Sequence, residues 1–247
     1  VDSHITRLVD AVANSGCVSP FLDIDLSVSV EVRCVNHGDE TADNSAIQWV
    51  TIPGDPELPT LITNALASPE FLNEDVEEVW HADCPVKDTG LVADSEGAVS
   101  RLIDSLRSGL TWPHQTPSLD KIIWSKRSAN EVSGFHTDHF PFGSAIRRSR
   151  GSATRVIVNL GIQPRVVCFL LPKGEQELPL GDDYCPAQYR NLGGLLVDAR
   201  LTIATLPPYS GDADVAGVQF DAHNVLHSGL PYKGAVVAVI TDWNELG

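Results

Sequence analysis

From Pro113 onward the chain breaks into short, β-branched apolar runs separated by clusters of Gly, Pro and Asp. The runs are residues 121–126, 154–160, 166–171, 195–206, 215–220 and 235–241. Strands this short and this regularly punctuated predict an all-β sandwich or barrel. The earlier residues read differently. Residues 3–14 place Ile5, Leu8, Val9 and Val12 on one helical face, with Ser3 to cap the start and Gly16 to end it. One strand follows, because Leu26, Val28, Val30, Val32 and Cys34 alternate with polar residues. Leu61, Ile62, Ala65 and Leu66 then share a helical face, and Ser68-Pro69-Glu70 reads as a fresh helix start leading into the acidic residues Glu74, Asp75, Glu77 and Glu78. Ser95 is placed to cap a further helix whose apolar stripe is Val99, Leu102, Ile103, Leu106 and Leu110. The expected organisation is one domain over 1–247, mainly β with helical support (α+β). Residues 1–115 form a helix-rich support layer with one early strand, and 116–247 form the β core.

At 247 residues, with 43% hydrophobic and 20% charged residues, the composition is that of an ordinary globular chain. A formal net charge of −16 repels phosphate backbones and anionic lipid, so neither nucleic acid nor a membrane surface is an expected partner. The basic cluster Arg147-Arg148-Ser149-Arg150 reads first as a solvated loop and second as a loop that attracts an anionic ligand. No apolar run approaches the roughly 20 residues that span a bilayer, and no targeting segment is visible. The five cysteines, Cys17, Cys34, Cys84, Cys168 and Cys185, are odd in number and include no Cys-x-x-Cys. They are expected to be mostly reduced and buried in a cytoplasmic protein.

The chemistry-bearing stretch is Gly134-Phe135-His136-Thr137-Asp138-His139. Residues i and i+2 of a strand share a face, so His136 and Asp138 can reach one metal while Thr137 turns away. His227, in Val225-Leu226-His227-Ser228-Gly229, lies far downstream and just before the last apolar run. Two imidazoles and one carboxylate form the set that holds Fe(II) on one face and leaves the other open, and the same donors suit Mn or Zn. His-x-Asp alone is a common accident, and the distant third ligand gives it weight. His139 points to the strand face opposite Asp138. It reads as a structural histidine first and as a residue facing substrate second. His223 lies four residues before His227, the spacing of paired helical ligands, but Asn224-Val225-Leu226 favours a strand and makes it the weaker distal ligand.

The series Ser133-Gly134-Phe135-His136-Thr137-Asp138, then Arg155-Val156-Ile157-Val158-Asn159-Leu160, then Val225-Leu226-His227-Ser228-Gly229 before Gly234 and a final apolar strand resembles the Fe(II)/2-oxoglutarate-dependent dioxygenase superfamily. The resemblance covers about residues 120 to 243, and only its ligand motif is specific. It implies a double-stranded β-helix (jelly-roll) core with Fe(II) held by His136, Asp138 and His227. It further implies 2-oxoglutarate as cosubstrate, consumed with O2 to give succinate as a second substrate is oxidised.

The chain departs from the family in one respect. Many members bind the far carboxylate of 2-oxoglutarate with a cation on the last strand, but here that strand reads Ala235-Val236-Val237-Ala238-Val239-Ile240. A buried anion still needs a cation. Arg155 is the first candidate and Lys233 the second, against the simpler reading in which each only reaches solvent. Thr154 and Asn159 are candidate hydrogen-bonding partners of the cosubstrate, or ordinary strand polar groups. Trp124 is a candidate pocket wall or core residue. Trp80, His81 and Asp83 are placed at the end of an acidic helix and are candidates for a lid, and Asp242-Trp243 reads as structural. The intact carboxylate Asp138 argues for hydroxylation, desaturation or cyclisation rather than halogenation. The substrate class is a small polar molecule such as an amino acid or natural-product intermediate. Two rival readings stand beside this one: a cupin-like Zn or Mn isomerase or hydrolase, and a non-catalytic jelly-roll binding module.

Overall fold

The computed structural model describes residues 30–36, 46–84, 91–110, 119–126, 151–172, 199–211, 214–222, 225–229 and 233–245. The described residues are mainly β with supporting helices, a β-rich α+β fold. In chain order the elements are β1 (Val30–Asn36), β2 (Ile47–Ile52), α1 (Leu58–Leu66), the single turn α2 (Pro69–Leu72), β3 (Glu78–Trp80), α3 (Ala98–Ser108), β4 (Lys121–Trp124), β5 (Gly151–Asn159), β6 (Arg165–Pro172), β7 (Ala199–Leu206), β8 (Val215–Asp221), β9 (Leu226–Gly229) and β10 (Val236–Glu245). They form a six-stranded sheet, β2-β8-β5-β10-β4-β3, and a four-stranded sheet, β1-β7-β6-β9. Among the described residues every pairing between these strands is antiparallel except β1 with β7.

The strand pleat sorts side chains into two cores. On β5, Ala153 and Ile157 face the four-stranded sheet and pack with Val167, Phe169, Ala204 and Val218. Val156 and Val158 face the other way, onto Leu58, Ala65, Val99, Leu102, Ile103 and Leu106 of the helices. On β10, Val237 and Val239 belong to the inner core, while Val236, Ala238 and Ile240 belong to the helix side. Burying this apolar area on both faces of one sheet supplies the main driving force for the layered arrangement.

Several local expectations change. The helix of residues 3–14 lies outside the described residues. The first 115 residues supply three described strands, β1, β2 and β3, where one was expected. The acidic helix stops after one turn. Lys126 Nζ meets the carbonyls of Phe71 and Asn73, the Asn73 side chain accepts from the Asp75 N–H at 3.0 Å, and Glu78–Trp80 pairs with β4 as a strand. Ser95 does not cap the next helix. Its hydroxyl and its N–H, the latter at 2.9 Å, both go to the Glu70 carboxylate, and α3 begins only at Ala98. Cys84 and Cys168 are buried free thiols. Among the described residues no helix is long and apolar enough to cross a membrane.

Candidate functional site

The registers of the two sheets place polar groups in one layer of the inner core. On the four-stranded sheet, His227 pairs with Phe169, and Phe169 pairs with Thr202. On the six-stranded sheet, Phe220 pairs with Arg155, and Arg155 pairs with Thr241. Directly paired residues share a sheet face, so each trio is a row across its sheet. The Phe220 ring closes the gap between the rows, 4.9 Å from the Phe169 ring and 4.7 Å from the His227 ring, centre to centre. Otherwise apolar packing therefore encloses an imidazole 3% exposed, a guanidinium-bearing residue 8% exposed and two threonines. Among the described residues the Thr202 hydroxyl has no hydrogen-bond partner, an arrangement that costs free energy unless a ligand or water completes it.

The His227 ring is already oriented. Its Nδ1 lies 3.0 Å from the Val225 carbonyl oxygen. A carbonyl only accepts, so Nδ1 donates in this contact, and Nε2 is the nitrogen that a metal would meet. Arg155 is anchored as well, its Nε–H donating to Thr241 Oγ1 at 2.9 Å. A buried guanidinium stays charged and is stabilised by an anion, which suits it to a carboxylate ligand.

Behind Thr241 lies an ion cluster. Arg107, in the last turn of α3, donates through Nε to Asp120 at 2.7 Å and through Nη2 to the same carboxylate at 2.9 Å, and its Nη1 is 2.8 Å from Asp242. The β10–β4 ladder ends at Val239. Beyond it the Asp120 carboxylate accepts the Thr241 N–H at 2.9 Å, and the Leu119 N–H donates to the Thr241 carbonyl at 3.1 Å. Burial alone would lower the Arg107 pKa, but the two carboxylates outweigh it and hold the guanidinium above its ordinary range. A sequence signal for this cluster exists: Arg107 falls at i+4 from Ile103 and i+8 from Val99, on the apolar stripe, where an unpaired charge would not persist. Thr241 and Phe220 carry no comparable signal, because their roles depend on strand register.

The remaining candidates separate by place. Lys233 is exposed in the turn before β10, at the end of the sheet where Val236 pairs with Trp124. The five residue steps from Val236 to Thr241 put roughly 17 Å of strand between that end and the Arg155 row. Asn159 pairs with Val237 toward the same distant end. Its amide is engaged, with Nδ2 donating to the Gln163 and Pro207 carbonyls at 2.8 Å each and Oδ1 accepting from Gly161 at 3.0 Å. Pleating turns Thr154 to the face of Val156 and Val158, away from Arg155. Trp124 packs on the helix side, its ring 6.0 Å from that of Phe71 and 5.3 Å beneath Lys126 Nζ. Trp80 belongs to the inner core, with Lys121 Nζ 4.5 Å from its ring centroid. His81 lies 3.5 Å from Asp104, and Asp242 is bound into the Arg107 cluster.

Sequence reading passed over Arg165. It begins β6 on the face of Val167 and Phe169, and its guanidinium crosses β9 at Gly229, where an added Cβ would stand 2.5 Å from Nη2. His136, Asp138, His139 and His223 lie outside the described residues. Among the described residues no three His, Cys, Asp or Glu side chains are grouped to hold a metal. No protein-family model and no curated protein matches the chain.

Proposed function

We propose that this chain is a non-heme Fe(II)- and 2-oxoglutarate-dependent oxygenase on a double-stranded β-helix, acting on a small polar molecule. The observation that carries the reading is the layer itself. His227, a buried imidazole whose Nδ1 is held by the Val225 carbonyl, and Arg155, a buried guanidinium, lie in facing rows of one apolar interior, bridged by Phe220. The jelly-roll part of the proposal rests on strand order. From β5 to β10 the chain visits the six-stranded sheet, the four-stranded sheet twice, the six-stranded, the four-stranded and the six-stranded again, giving β8-β5-β10-β4 over β7-β6-β9. Such interleaving of antiparallel strands is how a jelly roll winds.

In this reading His136, Asp138 and His227 hold Fe(II), which when bound supplies the coupling of 2-oxoglutarate decarboxylation to oxidation of a second substrate. The chain's own contribution is electrostatic and steric. Val225 fixes the imidazole tautomer through its carbonyl. Arg155 binds and orients the far carboxylate of the cosubstrate inside the apolar core, where a charge-assisted pair is strong. Phe169 and Phe220 exclude water from beside it. The carboxylate at Asp138 supports hydroxylation, desaturation or cyclisation as the outcome.

The test is succinate formation from 2-oxoglutarate in air, with and without Fe(II), across an amino-acid and natural-product panel. His136→Ala, Asp138→Ala and His227→Ala are each expected to abolish the iron-dependent signal. Full turnover in any one of them would sink the assignment.

A further inference from the structure

Resting on the oxygenase reading, we propose that Thr241 is a positioning residue for Arg155, and that the buried Arg107–Asp120–Asp242 cluster holds Thr241 in that role. An arginine side chain has several rotatable bonds, and aiming its fork at a carboxylate costs rotamer entropy unless something fixes the guanidinium plane beforehand. In this fold the Nε–H of Arg155 is tied to Thr241 Oγ1 at 2.9 Å. That contact orients the plane only if the Thr241 backbone is itself immobile.

Thr241 sits where the ladder to β4 has run out, so β10 keeps its β5 partner on one side and needs other partners on the other. There Asp120 takes its N–H at 2.9 Å, Leu119 donates to its carbonyl at 3.1 Å, and Arg107 Nη2 lies 3.4 Å from the same carbonyl. Asp242, the next residue, is drawn to the opposite face by Arg107 at 2.8 Å. The pleat thus sends Asp242 outward to the helix layer and Thr241 inward to Arg155. A charge cluster on the helix side thereby sets the direction of a guanidinium in the interior.

The decisive comparison uses the full-length protein, titrated with Fe(II) anaerobically and then with 2-oxoglutarate. Thr241→Val preserves volume and removes the acceptor, whereas Thr241→Ser keeps the hydroxyl. Thr241→Val is expected to raise the 2-oxoglutarate half-saturation about tenfold, the loss of one hydrogen bond to a charged group. Its Fe(II) affinity is expected to be unchanged. Thr241→Ser should remain within about twofold of the parent for both ligands. Because the hydroxyl-bearing variant rescues and the isosteric one does not, a packing effect is separated from a positioning one. An unchanged 2-oxoglutarate requirement in Thr241→Val, or an equal defect in Thr241→Ser, would overturn the positioning role and leave the oxygenase reading standing. A parent protein that binds Fe(II) but shows no 2-oxoglutarate saturation would overturn both.

Discussion

Replacing Asp120 by Asn tests whether the ion cluster behind the site is as tightly built as its geometry implies. Asp120 is 1% exposed, and its carboxylate accepts from Arg107 Nε at 2.7 Å, Arg107 Nη2 at 2.9 Å and the Thr241 N–H at 2.9 Å. Asparagine retains one acceptor oxygen. If that oxygen stays with Thr241 and Nη2, the new amide NH2 faces the Nε–H donor to donor. The opposite flip sets the NH2 against two donors. The substitution also removes half of the negative charge facing Arg107, leaving Asp242 at 2.8 Å. Breaking one side of a buried ion pair costs about 3–5 kcal/mol. The surviving Asp242 partner places the expected loss near the lower bound, about 3 kcal/mol. Urea unfolding followed by tryptophan fluorescence would read this directly. With a slope of about 2–3 kcal/mol per molar, the midpoint is expected to fall by about 1–1.5 M. Arg107→Met combined with Asp120→Asn should lose less than the sum of the single variants, since each leaves the other's partner stranded. A midpoint shift below about 0.3 M in Asp120→Asn, or strict additivity in the pair, would refute the reasoning.

Glu70 gives a pH-dependent prediction. Burial pushes its carboxyl up, but the Ser95 hydroxyl and N–H outweigh that and hold it below the ordinary 4.5. A depressed folded-state pKa contributes stability above the unfolded value and loses it as pH falls through the folded one. Ser95→Ala is therefore expected to cost about 0.5 kcal/mol at pH 7, a small figure because solvent screens the pair, and the difference from the parent should vanish as pH drops below 4.5. Paired denaturation curves at pH 7 and in acid check this. Lys233→Ala is expected to leave the 2-oxoglutarate half-saturation within about twofold, because an exposed charge well beyond the ~8 Å screening length contributes little. A tenfold rise in succinate assays would return the role to Lys233.

The parts of the fold most legible in the sequence were those with simple periodicity. The runs at 154–160, 166–171, 215–220 and 235–241 appear within β5, β6, β8 and β10 or a residue or two beyond their ends. The stripe Val99, Leu102, Ile103 and Leu106 is the buried face of α3. Short elements with side-chain terminators were not legible. Asn73 and Lys126 end α2 after one turn, and the terminating lysine lies 53 residues away from the asparagine. Ser95 looked like a cap, yet a distant Glu70 captured it. Arg155 could be nominated from the need for a buried cation, but its Thr241 partner comes from the 86-residue separation that register alone bridges. Likewise Lys233 was the second cation candidate and Asn159 a candidate cosubstrate partner, and only strand register shows that both lie toward the end of the sheet where Val236 and Val237 pair, away from the Arg155 row.

The oxygenase account is tested most directly by anaerobic titration of Fe(II)-loaded protein with 2-oxoglutarate, comparing the parent with Arg155→Ala. The account predicts a weak visible absorption band that saturates with 2-oxoglutarate in the parent. In Arg155→Ala the same band should require about a hundredfold more 2-oxoglutarate, the loss of a buried charge-assisted pair worth about 3 kcal/mol, with Fe(II) affinity retained. No band in the parent, or the same 2-oxoglutarate requirement in both proteins, would contradict it.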